Sequence, residues 1–184
     1  MRSTAELMGF LPSLDAAPTD VGTVEMVLAR PAEGERLMLT KADLDLTTGL
    51  VGDRWAQTEA CASGDTTEQL NVMSARMVRF LADEPDRQAL AGDQLYLDLD
   101  LSHDNLPAGT RIHFGDPGAG GAVIEVTPEP HTGCSKFIAR FGVDAMRFVN
   151  GREGRPRRLR GLNARVVVPG QVRLGDQVTV ERLG

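Results

Sequence analysis

The chain reads as a mainly β protein, a small barrel of short strands with a few short helices packed at its ends. Three observations predict this. Short apolar–polar alternations and β-branched runs recur from residue 22 to residue 181. Gly- and Pro-containing turns separate them, and helical periodicity is confined to brief segments. At 184 residues, 41% hydrophobic and 25% charged, the chain suits one sizeable core better than two ordinary domains.

The strands follow in order. Residues 22–29 alternate, 69–73 form a second run, and 94–101 (Q-L-Y-L-D-L-D-L) is the clearest period-2 segment in the sequence. Residues 111–114, 122–127, 164–168 and 177–181 carry the same alternation or β-branched content. Residues 106–115 and 168–176 share a plan, in which Pro and Gly make a turn, a short strand follows and Gly ends it. Helices are expected over 74–82, where Ser74 is placed to cap apolar Met77, Val78 and Leu81, over 135–141 up to Gly142, and over 143–149. Residues 1–20 read as a loosely attached arm and 21–184 as the domain. Residues 59–68 lack periodicity and read as a mobile loop.

Composition narrows the function. A net charge of −6 and a pI near 5.1 argue against a nucleic-acid partner, because phosphate binding draws on a basic surface. No apolar run is long enough to span a bilayer, so no membrane partner is expected. The apolar stretch 7–11 is cut by Pro12, is preceded only by Arg2 and lacks a cleavage site, which leads us to expect a cytoplasmic protein. The two cysteines, Cys61 and Cys134, make no disulfide framework. Cys61 reads either as a resolving thiol for Cys134 or as a bystander.

The segment from Pro130 to Lys136 carries most of the chemistry. A strand ends before it and a helix begins after Cys134, which puts the thiol at a helix start where unpaired N–H groups favour an anion. Lys136 and Arg140 add positive charge on that helix. A thiolate so favoured is a nucleophile, a sulfur carrier and a soft-metal ligand; the alternative is a small buried hydrophobe. His131, Thr132 and Ser135 cluster polar side chains beside it.

Two other constellations stand out. In Gly52-Asp53-Arg54-Trp55 a glycine permits a tight path, Asp53 can accept from local N–H groups and Arg54 offers a planar fork to an anion. A plain turn with a solvated arginine fits equally. In the 151–161 stretch Arg152, Arg155, Arg157, Arg158 and Arg160 concentrate positive charge against the acidic balance of the chain. A phosphorylated small molecule would offset that repulsion, as would pairing with surface carboxylates. No phosphate-binding loop, dinucleotide fingerprint or nucleophile elbow is present. His131 and Cys134 lack the second pair of ligands that a structural zinc needs.

Taken in order, these motifs resemble the MOSC domains, named for the C-terminal domain of molybdenum-cofactor sulfurases. The resemblance covers roughly residues 21–183: a Gly-Thr-Val opening strand, Gly52-Asp53-Arg54, Gln69-Leu70-Asn71-Val72-Met73 followed by a helix, Gly92-Asp93-Gln94-Leu95, Leu106-Pro107-Ala108-Gly109-Thr110, and Val126-Thr127 leading to Cys134. His131-Thr132-Gly133-Cys134-Ser135-Lys136-Phe137 with Ala139-Arg140-Phe141-Gly142 looks like the cysteine motif of the bacterial stand-alone branch. The chain departs from the family at Asp93-Gln94, often Glu-Asn or Arg-Asn, and at Glu68, often Arg.

The resemblance implies a MOSC-type β-barrel with the motif cysteine at a cofactor cleft. In reductase members that cysteine ligates molybdenum of the pterin cofactor; in the sulfurase branch it is thought to carry sulfur as a persulfide. On this basis Cys134 is expected as metal ligand and catalytic residue of a small oxidoreductase. Gly52, Asp53, Arg54, His131, Thr132, Ser135, Lys136, Arg140, Arg158 and Arg160 are expected around the cofactor. The alternatives are a sulfur carrier or sulfurtransferase using a Cys134 persulfide, and a non-catalytic binding module. Pyridoxal phosphate belongs mainly to a fused desulfurase half of the family and is not expected in this chain. A small-molecule substrate is expected, with an external electron donor or a cysteine desulfurase as partner.

Overall fold

Ser3 starts the chain's first helix. Its hydroxyl accepts from the Glu6 N–H, while the Glu6 carboxylate accepts from the Ser3 N–H at 2.8 Å, a reciprocal cap that satisfies two otherwise orphaned donors. In the computed structural model, which describes residues 1–115 and 120–182, helix α1 runs over Thr4–Asp15 and continues through Pro12. Leu7 and Leu14 are buried against the other helices, Phe10 stacks on Phe80 at 4.0 Å, and Arg2 lies over the Phe80 ring. Residues 1–20 therefore begin with a docked helix rather than a loose arm. The apolar positions at 7, 10, 11 and 14 form one helical face, and burying it outweighs the hydrogen bond that proline forfeits.

After α1 come β1 (Val21–Ala29), β2 (Leu37–Leu39), β3 (Lys41–Asp45) and β4 (Gly49–Leu50). A short 3-10 turn over Arg54–Gln57 leads into α2 (Glu59–Ser63), then β5 (Leu70–Ser74), α3 (Ala75–Leu81), α4 (Pro85–Ala89) and β6 (Leu95–Asp98). β7 (Arg111–Phe114) and β8 (Val123–Val126) precede α5 (Ser135–Phe141) and α6 (Val143–Asn150), and β9 (Leu162–Val168), β10 (Gly170–Arg173) and β11 (Gln177–Glu181) follow. The sheet order β11-β7-β8-β9-β5-β6-β1 closes through a β11–β1 pairing, giving a seven-stranded barrel. β2 extends it beside β1, and β10-β3-β4 form a small separate sheet.

Every barrel pairing is antiparallel except β5 with β6, where Val72 faces Leu95 and Ser74 faces Leu97. A parallel pair needs a crossover, and α3 and α4 supply it. Ser74 caps α3 as expected, its hydroxyl accepting from the Met77 N–H. Alternation sorts the strands between two cores. Leu70, Val72, Leu95, Leu97, Ile112, Ile124 and Val178 fill the barrel, while Met73, Tyr96 and Leu28 turn outward beneath the helices. A bulge between Val24 and Met26 shifts the phase of β1, so that Val24 and Val27 both point inward.

The 59–68 stretch, expected as a mobile loop, opens with α2, which Thr58 caps by accepting from the Cys61 N–H. Five residues of helix are too short to show periodicity. Cys61 and Cys134 are both free thiols. Among the described residues no helix is long and apolar enough to cross a membrane.

Candidate functional site

The strand-to-helix switch places Cys134 at the cap position of α5, in extended backbone and exposed to solvent. Partial burial opposes ionisation of its thiol, but the backbone N–H groups of Phe137 and Lys136 and the charges of Arg160 and Arg140 outweigh it, so the pKa falls below the ordinary thiol value. Of the two cations expected from the sequence, Arg140 contributes its charge and Lys136 does not, and Arg160 takes its place. Lys136 turns its ammonium to Glu33 at 2.9 Å, and it is its backbone N–H that faces the sulfur.

The Cys134 segment is fixed from both sides. Asn150 of α6 clamps Gly133, accepting from its N–H at 2.8 Å and donating to its carbonyl at 3.0 Å. A side chain at Gly133 would press on Val149, Asn150 and Met146, so glycine here allows the close approach of loop and helix. His131 does not face the thiol as an open ligand. Its Nε2 lies 2.8 Å from Oδ1 of Asp93, a buried carboxylate that also accepts from Arg160 Nη1 at 2.8 Å through both oxygens.

Burial disfavours the Asp93 anion, yet Arg160 and His131 more than offset this and its pKa is lowered. The Tyr96 hydroxyl accepts from the Gly92 and Asp93 N–H groups, and burial with the neighbouring Asp93 charge pushes its pKa upward. Arg160 also donates to the Ala91 carbonyl and stacks over Phe137 at 5.2 Å. Its charge is thus held beneath α5 by Asp93 and reaches Cys134 only through space.

Gly52-Asp53-Arg54 makes a different contribution from the one its spacing suggests. Asp53 is buried and binds Arg30 by a two-pronged ion pair, with Nε and Nη2 each at 2.9 Å, and it caps the 3-10 turn by accepting from the Trp55 N–H. It is therefore a positioning residue. Arg30 spends its remaining nitrogen on the Asn71 side chain and the Gly92 carbonyl, tying this turn to the Asp93 loop. Gly52 takes a left-handed φ of +89° that starts the turn. Arg54 and Arg30 line a cleft of about 550 Å³ together with Glu33, Trp55, Glu68 and Asn71.

Arg36 completes the cationic surroundings. Burial and the repulsion of Arg140, Arg30 and Arg54 depress its pKa, and its Nε is buried with no partner among the described residues. Arg140 donates to the Leu90 carbonyl. Thr132 and Ser135 are exposed, and neither side chain makes a hydrogen bond among the described residues.

The arginines of 151–161 take different partners. Arg157 pairs with Asp15 and Glu153, Arg158 donates to the Leu106 carbonyl, Arg160 goes to Asp93, and Arg152 and Arg155 are exposed. The structure therefore brings Cys134, Arg140 and Arg160 together and puts Arg54 on the cleft that Lys136 borders through Glu33. Arg158 lies with Arg160, His131 and Thr132 on a separate cavity, away from Cys134. Sequence reasoning missed Arg30 and Arg36, and it named Asn71 and Asp93 only within segments of the resemblance, with no role in the site. A signal existed for Arg30, the first charge after the apolar run that ends β1, since the buried Asp53 needed a cation.

No family model matches the chain, and no curated protein does. Solved structures share its fold. YuaD from Bacillus subtilis superposes with a TM-score of 0.64 at 17% identity, covering 89% of this chain and 97% of that one. YiiM from Escherichia coli gives 0.55 at 17% identity over 88% of this chain and 71% of that chain. YiiM from Geobacillus stearothermophilus gives 0.52 at 12% identity over 90% and 75%. The likeness is one of fold.

Proposed function

We propose that the chain is a MOSC-type protein that binds a molybdenum–pterin cofactor with Cys134 as its metal ligand. The observation that carries this reading is an exposed thiol of lowered pKa beside a crowd of arginines. The donor set fits the group. A thiolate is a soft ligand suited to molybdenum, and Arg36, crowded by like charge and with an orphaned Nε, is relieved by an anion such as the cofactor's phosphate. Arg54 and Arg140 are the further candidates to hold that phosphate, with Lys136 and Ser135 at the rim. His131, Asp93, Asp53 and Arg30 position the two loops. The cofactor would supply two-electron redox chemistry, and the chain's own residues bind it, orient it and favour the Cys134 thiolate.

A specific observation favours a second reading. Cys134 is exposed and lies outside the lining of the cleft, where a separate protein can reach it. As a sulfur carrier its thiolate attacks the outer sulfur of a desulfurase persulfide, the donor sulfur leaves as a thiolate, and Cys134 keeps the transferred atom. Molybdenum content after expression in a cofactor-producing host separates the two. We expect about one molybdenum per wild-type chain, none in Cys134→Ser, and reduction of a small oxidised nitrogen or sulfur compound by the loaded wild type with an artificial electron donor. Molybdenum-free protein whose intact mass gains one sulfur atom from a desulfurase would replace the first reading with the second.

A further inference from the structure

A cavity of about 250 Å³ opens between the loop leading to Cys134, the end of α6 and the 151–161 loop. Cys134 is not part of it; its lining takes in His131, Thr132, Arg158 and Arg160, which were expected around the cofactor, but the phosphate of the proposed cofactor is assigned to Arg36, Arg54 and Arg140 instead. Its apolar wall is Pro128, Pro130 and Val149, and its cations are Arg155, Arg158 and Arg160.

These cations are unevenly satisfied. Arg160 is buried and paired with Asp93, but its Nε is buried and has no partner among the described residues. Arg158 sits at a φ of +47°, alone among the described non-glycine residues in having a positive φ, and its one side-chain bond goes to a neutral carbonyl, that of Leu106. Burial lowers its pKa. Arg155 makes no side-chain hydrogen bond among the described residues. Strained backbone that turns a half-buried guanidinium into a cavity without a carboxylate partner is costly unless something else offsets it. Among the described residues, Glu129 is the only carboxylate in the lining. With Arg160 neutralised by Asp93, the two remaining arginines exceed it by one charge.

We propose that this cavity binds a small organic monoanion, a carboxylic acid with an apolar body, its carboxylate on Arg155 and Arg158 and its body against the two prolines and Val149. Guanidinium planes match carboxylates geometrically, and an apolar cavity with a few polar groups is the usual form of a small-molecule site.

Benzoate is the probe, titrated against the full chain by calorimetry at constant ionic strength, with benzyl alcohol as its neutral counterpart. We expect benzoate to bind and benzyl alcohol to bind at least about tenfold more weakly, the factor that a lost charge-assisted hydrogen bond represents. Arg155→Glu, an exposed position, and Arg158→Gly, which accepts the positive φ without strain, should each weaken benzoate by about tenfold or more. Cys134→Ser should bind benzoate like the wild type, so this site and the molybdenum reading fail independently. No binding of benzoate, equal binding of benzyl alcohol, or undiminished binding by Arg155→Glu would overturn the proposal.

Discussion

At the scale of single residues, position in the backbone outweighs identity. Cys134 and Cys61 are both free thiols, but only Cys134 faces the N–H groups at the start of α5 with Arg160 and Arg140 behind them. Iodoacetamide alkylation followed against pH should give a midpoint for Cys134 below that of an ordinary thiol, and Arg140→Ala should move it upward; an unchanged midpoint would refute the assigned cause. Asp93 is the opposite case, a carboxylate whose whole value is structural. Asp93→Asn leaves Arg160 buried without a counter-ion and should cost about 3–5 kcal/mol, measurable by urea unfolding. The sign of its pH dependence follows from its lowered folded pKa. The unfolded chain holds the proton more tightly, so the stability due to Asp93 is fully present above the ordinary value of 3.8 and is lost as pH falls through the lower folded value. The Asn variant should lose this acid dependence.

At the scale of elements, α1 tests how far local signals carry. Leu7 is fully buried under it, so Leu7→Ala should cost about 2–5 kcal/mol in a denaturant titration, where a loose arm would lose almost nothing. The helix was hidden because Pro12 reads as a breaker, although Ser3 and Glu6 stand at capping-box spacing. Elements with their own periodicity were legible: residues 111–114 and 177–181 are strands with the bounds expected, and α5 ends at Gly142 as read. The run 94–101 is strand only over Leu95–Asp98, yet Leu95, Leu97, Leu99 and Leu101 all reach the barrel core, so its alternation reported burial better than pairing. β2, β3 and β4 were missed because each is short, and β2 is largely exposed. The site was legible where it is local, at the cap of α5. Arg30 with Asp53, His131 with Asp93 and Arg160 with Asp93 lie 23, 38 and 67 residues apart, and no local pattern pairs residues at such separations.

At the scale of the molecule, the barrel and the helical layer share walls. β5 and β6 give alternate side chains to each, Val72 and Leu97 to the barrel and Met73 and Tyr96 to the helices, so neither core can be lost alone. Trp55 fluorescence and far-ultraviolet circular dichroism should therefore report one coincident unfolding transition, and two separated midpoints would show that the layers are independent. Closure of the barrel has a consequence in time. Val21 pairs with Thr179, so the barrel's first strand in chain order must wait for its last. Until β11 emerges, β1 and β7 each present an edge of unpaired backbone, the nascent chain can form local pairings such as β7 with β8 but cannot close the barrel, and a chaperone that shields strand edges has most to do in that interval.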